Sequence, residues 1–69
     1  MPKPGDKVSV KTAFGTYVEK RAVTGVVPGD AFDVVRVCSE VQWQAARDGA
    51  QDPIGTPWPA EDVLDMTPA

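Results

Sequence analysis

One cysteine and a cluster of three of the ten carboxylates have side chains that suit catalysis or metal binding. Cys38 carries the thiol of a nucleophile. Glu61, Asp62 and Asp65 could coordinate a divalent cation or act as a pair of catalytic carboxylates. The chain has no histidine, however, so the commonest metal ligand and the commonest general base near neutral pH are both absent.

A structural role explains each of these residues more simply. Glu61 and Asp62 follow Pro59, and acidic residues after a proline are typical of the first turn of a helix. Cys38 lies where a strand should meet a helix, and a buried cysteine there acts as a small apolar residue, although a helix N-terminus can lower a thiol pKa. We therefore expect no catalytic residue, no metal site and no cofactor, and a protein that is not an enzyme.

Trp58 lies between two prolines, Pro57 and Pro59, in the segment TPWPAEDVL. The two rigid rings could hold the indole over an open end of the fold, because a small domain needs each large side chain for its core. The same rigidity could present the indole to a ligand, since tryptophan is enriched at interface hot spots. The sequence leaves both roles open.

Trp43 lies on a predicted helix that has two apolar stripes. At 100° per residue, Val41 and Ala45 form one face, and Trp43 and Ala46 form another. Two stripes are more than one docking face requires. Either the indole folds back on Cys38 as a hydrophobic staple, or the second stripe meets a partner.

The expected protein-binding surface joins the outer face of this helix to the proline-rich segment that follows it. Monomers rarely leave a contiguous apolar patch exposed without a purpose. The residues assigned to this surface are Trp43, Ala46, Arg47, Ile54 and Trp58. Self-association through the same surface is a variant of this hypothesis.

Charge is divided unevenly along the chain. Residues 1–21 carry five cations and two carboxylates, whereas residues 22–69 carry two cations and eight carboxylates. An alternative hypothesis is therefore a nucleic-acid interface on a basic amino-terminal hairpin, formed by Lys7, Lys11, Lys20 and Arg21. A solvated sheet face explains the same cluster, and the net charge of −3 opposes phosphate binding.

The eleven valines, against one isoleucine and one leucine, favour a β-rich fold. Residues 7–12 alternate between apolar and polar side chains and predict a half-buried first strand. Residues 16–27 predict a long second strand that bends at Gly25. Residues 32–39 predict a central strand in which Arg36 marks the face nearest solvent.

A change of period after this strand predicts a helix. Ser39 and Gln42 have the spacing of a capping box, which predicts a helix over about residues 40–48. Gly49 is expected to take the left-handed conformation just after its last turn. A helix of this length is marginal alone, so it must dock on the sheet.

The last third of the chain is rich in proline. The segment AQDPIGTPWP contains three prolines and is predicted to be an ordered loop. A single helical turn near residues 60–62 and a short last strand over residues 63–66 should follow it.

The opening segment PGDKVSV and the closing segment PWPAEDVLDM resemble those of small SH3-like β-barrels, the class that includes Tudor-like and KOW-like domains. Such barrels often open with a Gly-Asp-x-Val strand and close with a helical turn before the last strand. The resemblance covers most of residues 4–66 and implies a mainly β barrel of about five strands. The length of 69 residues predicts a single domain, with an ordered core at about 4–66 and short flexible termini. The helix is an insertion relative to a minimal barrel, and the ALYDY-type segment of peptide-binding SH3 domains is absent.

The expected function is a small non-enzymatic SH3-like interaction module that binds a protein partner. Residue usage around VQWQAARDGAQDP is similar to that of small proteins of actinobacteria or their bacteriophages, so a phage or accessory protein that modulates a host protein is a further alternative. The lone cysteine excludes an internal disulfide. The lack of a long apolar run and of a secretory signal in MPKPGDKV predicts no membrane partner and a cytoplasmic location.

Overall fold

Five antiparallel strands and one α-helix make up the fold, which the computed structural model describes over residues 2–66. The elements in chain order are β1 (Lys7–Lys11), β2 (Tyr17–Pro28), β3 (Asp33–Cys38), α1 (Glu40–Asp48), β4 (Thr56–Pro59), a 3-10 turn (Ala60–Asp62) and β5 (Val63–Asp65). The predicted mainly β fold with one inserted helix is confirmed. Of the termini expected to be flexible, residue 1 and residues 67–69 lie outside the described residues.

The strands form one open sheet in the order β4-β3-β2-β1-β5. Short turns join β1 to β2 and β2 to β3, and both pairs of strands are antiparallel, as such short connections require. The edge strands β4 and β5 do not pair with each other in the described chain, so the sheet is not closed into a hydrogen-bonded barrel.

One face of the sheet carries the core. Side chains of directly paired residues point to the same side of a sheet, so the pairing of Val10 with Val18 and Val63 places all three on this inner face. The buried cluster on the inner face is almost entirely valine: Val8, Val10, Ala22, Val35, Val37 and Val63. Branched side chains suit this role because they pack well on a pleated surface.

The long strand β2 bends where its sequence breaks the alternation. The register between β2 and β3 shifts between Ala22 and Val26, which confirms the predicted irregularity around Gly25. A Cβ atom at Gly25 would lie 3.2 Å from the carbonyl oxygen of Pro2, so glycine also permits a close backbone approach there. A bulge increases local twist, and the sheet curls over its inner face.

The prediction of a loop over the whole proline-rich segment is wrong at its end. Residues 56–59 form β4, an edge strand in which Pro57 pairs with Arg36 and Pro59 with Val34. Prolines are tolerated because an edge strand needs to donate hydrogen bonds on one side only. Residues 51–55 remain a loop, as predicted.

The helix α1 begins as its sequence predicts and ends differently. The Ser39 hydroxyl accepts a hydrogen bond from the Gln42 backbone N–H at 3.1 Å, and the Gln42 side chain accepts one from the Ser39 backbone N–H, also at 3.1 Å. Gly49 has an ordinary φ of −87°, whereas Ala50 takes the left-handed φ of 53°. The Gly49 assignment was therefore wrong by one residue.

No helix within residues 2–66 is both long enough and apolar enough to cross a lipid bilayer.

Candidate interaction surfaces

Trp58 lies on the inner face of β4, opposite Val35. It is half-buried and packs against the buried valine cluster. Its indole Nε1 donates a hydrogen bond of 2.9 Å to the backbone carbonyl of Lys11 at the end of β1. The Trp58 ring therefore contributes to the packing of the sheet, and part of it remains exposed to solvent.

Trp43 anchors α1 to the turn of residues 3–6 that precedes β1, called here the amino-terminal turn. It is half-buried, and its Cζ2 atom lies 3.3 Å from the position that a Cβ atom of Gly5 would occupy. Its indole Nε1 is buried and has no hydrogen-bond partner among residues 2–66. Glycine at position 5, with a φ of +92°, allows the close approach of the ring.

A groove of about 280 Å³ separates α1 from the loop of residues 51–55. Ala45 and Ala46 line its helical side, and Pro53 and Ile54 line its loop side. Ile54 is 87% exposed at its edge. Of the five residues assigned to a protein-binding surface, the structure thus brings Ala46 and Ile54 together in one groove.

The other three residues of the assigned surface do not line this groove. Trp43 and Trp58 make the packing contacts described above. Arg47 is exposed in the last turn of α1, beside the groove residue Ala46 in sequence. We call the groove between α1 and residues 51–55 the helix–loop groove.

The proposed nucleic-acid residues do not share one face. Lys7 and Lys11 point to the outer face of the sheet with Arg21, which pairs with Lys7. Lys20 pairs with Val8 and so belongs to the inner face. The sequence already indicated that Lys20 and Arg21 lie on different faces, because neighbouring residues of a strand point to opposite faces.

Arg21 is committed to a structural contact. Its Nη2 donates to the Glu40 carboxylate at 3.0 Å, its Nε donates to the other carboxylate oxygen, and its Nη1 donates to the carbonyl of Gly5 at 2.8 Å. The hydrogen bond to Glu40 raises the pKa of Arg21, and the one from Arg21 lowers the pKa of Glu40. This contact fastens the start of α1 to β2 and the amino-terminal turn, and we call it the Arg21–Glu40 clamp.

Cys38 differs in burial from the carboxylates near the carboxyl end, of which Glu61 and Asp65 are exposed. Cys38 is buried, and desolvation raises the pKa of its thiol despite the nearby start of α1. A raised pKa keeps the thiol neutral and unreactive near pH 7. Within the described range, no group of three or more His, Cys, Asp or Glu residues is placed to hold a metal ion.

Two exposed phenylalanine side chains were not identified as candidates from the sequence. Phe14 is at the tip of the β1–β2 hairpin, and Phe32 follows the β2–β3 turn beside a groove of about 420 Å³. Each aromatic residue lies in a turn-forming segment, AFG or PGDAF, where polar residues are usual. That mismatch between residue type and position was the signal that could have found them.

Comparison of the chain with protein-family models, curated proteins and solved structures finds no match.

Proposed function

We propose that the protein is a non-enzymatic interaction module that binds another protein through the helix–loop groove. The observation that carries this proposal is the 87% exposure of Ile54 at the edge of a groove lined by alanine and proline. An apolar side chain that stays in water loses the stabilisation that burial would give it, and a groove beside it offers that burial to a partner.

The composition of the helix–loop groove fits a protein interface. Its lining is mainly apolar and includes three polar side chains that can form hydrogen bonds, namely Gln42, Gln51 and Asp52. Arg47 is an exposed cation on α1, next to the groove residue Ala46 in sequence. Apolar area combined with hydrogen-bonding groups and a nearby arginine is common in protein–protein interfaces.

An SH3-like scaffold is part of the same proposal. Three features support it: β1 lies between β2 and β5, a 3-10 turn links β4 to β5, and the Trp58 indole contacts the end of β1. Such a scaffold implies no single activity, so the function must come from its surfaces.

Two alternative partners are a nucleic acid and a host protein. A nucleic-acid partner has less support, because the Arg21–Glu40 clamp occupies one of the four proposed cations and Lys20 faces away from Lys7 and Lys11. If the chain comes from a phage, its partner would be a host protein, bound at the same helix–loop groove.

The test is affinity capture of the tagged protein from an actinobacterial lysate, with and without nuclease. A protein partner should survive nuclease and should be lost with Ile54→Asp, which places a charge at the edge of the groove. The matched control is Leu64→Asp, because Leu64 is 53% exposed on β5 and lies outside the groove. Capture that vanishes with nuclease and with Lys7→Gln/Lys11→Gln would support the nucleic-acid alternative instead.

A further inference from the structure

The tip of the β1–β2 hairpin presents an aromatic side chain on an ordered turn. Phe14 is 93% exposed. The turn is closed by backbone hydrogen bonds from Thr12 N–H to the Thr16 carbonyl at 2.8 Å and from Gly15 N–H to the Thr12 carbonyl at 3.0 Å. The hydroxyls of Thr12 and Thr16 are also 2.8 Å apart. Because the backbone of the turn is already ordered, a partner that buries the ring loses less conformational entropy than it would with a flexible loop.

A groove at the other end of β2 is suited to such a ring. It lies on the outer face of the sheet where β2, β3 and β4 meet, and its apolar lining includes Val27, Ala31, Phe32, Val34 and Pro57. Its volume of about 420 Å³ exceeds the roughly 150 Å³ of an engineered apolar cavity that holds benzene. Phe32 is 58% exposed beside it, so the groove is open to a ligand. We call it the Phe32 groove.

The hairpin tip and the Phe32 groove of one chain are not in contact. The tip precedes the start of β2, and the groove surrounds the last residues of β2 and the turn after it. Phe14 is 93% exposed and is not among the residues that line the groove. In this fold, a contact between the two features therefore requires two molecules.

The charges around the two features are complementary. Residues 7–21 of the β1–β2 hairpin carry four cations and one carboxylate, Glu19. Residues 28–36 and 57–62, which form or flank the groove, carry four carboxylates against one cation, Arg36; the carboxylates are Asp30, Asp33, Glu61 and Asp62. Opposite potentials on two surfaces favour their encounter and fix its orientation.

From these features we propose that copies of this chain associate head to tail, with Phe14 of one copy seated in the Phe32 groove of the next. The contact joins two different surfaces, so each bound pair keeps one unused tip and one unused groove. The association is therefore open-ended rather than closed at a dimer. It uses residues outside the helix–loop groove and does not depend on the proposed function above.

The contact is small, which sets the conditions for detecting it. One aromatic side chain contributes about 150–250 Å² of buried surface, and interfaces well below about 1,200 Å² are typical of weak encounters. Self-association should therefore become visible near millimolar concentration. Added salt should weaken it, because the charges lie at the exposed rim of the contact.

The first measurement is sedimentation equilibrium of the purified full chain from about 0.05 to about 1 mM, a range chosen for a weak contact. The average mass should rise continuously from the monomer value. Amide NMR signals that shift with concentration should belong to residues 12–16 and 27–34. A constant monomer mass, a plateau at the dimer, or shifts confined to other residues would overturn the proposal.

Two variants that each lack one half of the contact give a sharper test. Phe14→Ser removes the ring. Asp30→Lys/Asp33→Lys places two cations in the turn beside Phe32, one of them in the groove lining. All three positions are exposed, so folding should be retained, as NMR dispersion will show. Each variant alone should be monomeric, and an equimolar mixture should form a 1:1 complex that grows no further. A mixture that stays monomeric contradicts the proposal.

Ile54→Asp separates this proposal from the proposed function. The substitution lies in the helix–loop groove and should leave the concentration dependence of the mass unchanged. If Ile54→Asp abolishes self-association, the copies meet through the helix–loop groove and the head-to-tail contact is wrong.

Discussion

The indole Nε1 of Trp58 donates a hydrogen bond of 2.9 Å to the backbone carbonyl of Lys11, 47 residues earlier in the chain. Trp58 lies on the edge strand β4, and β1 is three strands away in the sheet. The two can meet only because the sheet curls over its valine core. The indole therefore closes one side of a sheet whose edge strands do not pair with each other in the described chain.

Trp58→Ala should be among the most destabilising substitutions in this protein. Removing the ring exposes part of a core built from small side chains, and large aromatic truncations cost about 3–5 kcal/mol when fully buried. For this half-buried ring we expect about 2–3 kcal/mol, a large share of the stability of a domain this small. Urea unfolding followed by far-ultraviolet circular dichroism measures it. A decrease in the free energy of unfolding of less than about 1 kcal/mol would contradict the role of Trp58 in closing one side of the sheet.

A comparison of Trp58→Phe with Trp43→Phe isolates the contribution of the hydrogen bond between Trp58 and the Lys11 carbonyl. Trp58→Phe keeps an aromatic ring but loses the bond to Lys11, which should lower the free energy of unfolding by about 0.5–1.5 kcal/mol. Trp43→Phe removes a buried N–H that has no partner among residues 2–66, so it should cost less or stabilise the protein. Equal losses for the two variants would show that ring size, not the hydrogen bond, matters at Trp58.

The Arg21–Glu40 clamp should make stability depend on pH in the acidic range. The hydrogen bond from Arg21 lowers the pKa of Glu40 from its ordinary value of 4.5, so the folded protein holds this carboxylate ionised to lower pH than the unfolded chain does. Its contribution to stability is therefore present above the unfolded pKa and lost as the pH falls through the folded pKa. Glu40→Gln removes this contribution.

The difference in unfolding free energy between the native protein and Glu40→Gln should be larger at about pH 7 than at about pH 3. Urea titrations at both pH values measure it. Gln44→Ala is the control, because Gln44 donates a weaker 3.3 Å hydrogen bond to the same carboxylate and its removal leaves Arg21 in place. That variant should keep most of the pH dependence. A difference that does not change with pH would rule out the clamp as its source.

Local patterns predicted the elements of this fold well. The capping box at Ser39 and Gln42 places the start of α1, and alternation over residues 7–12 places β1. The bend of β2 near Gly25 also followed from one glycine inside an apolar run. In each case, residues close in sequence determine the structure, so spacing alone carries the information.

Long-range contacts set the roles of the site residues, and spacing does not encode them. Arg21 was grouped with the lysines because it is near them in sequence, yet its partner Glu40 lies 19 residues away on another element. The strand β4 was taken for a loop because its prolines break most strands, and only its position at the edge of the sheet permits them. Such positions depend on which elements the whole chain brings together.

Ser39→Ala tests how far α1 depends on its cap. None of the side chains of α1 is fully buried, so the helix has little packing to compensate for a lost cap. The expected loss is about 1 kcal/mol, and amide hydrogen exchange should quicken in the first turn of α1. Ser39→Asn, which preserves a capping oxygen, should behave like the native protein. Unchanged exchange in Ser39→Ala would show that the Arg21–Glu40 clamp holds the helix start by itself.

Gly5→Ala and Gly15→Ala separate backbone strain from a steric clash with Trp43. Both glycines have positive φ, +92° and +81°, so either substitution should cost about 1–2 kcal/mol of backbone strain. A new methyl group at position 5 would also press on Trp43 at 3.3 Å, whereas nothing lies within 4 Å of one at position 15. Gly5→Ala should therefore lower the free energy of unfolding by urea more than Gly15→Ala does. In the Trp58→Phe background, Trp43 is the one remaining tryptophan, and Gly5→Ala should shift its fluorescence emission there. Equal losses with unchanged emission would mean that the Trp43 ring moves aside freely and that α1 is not anchored through it.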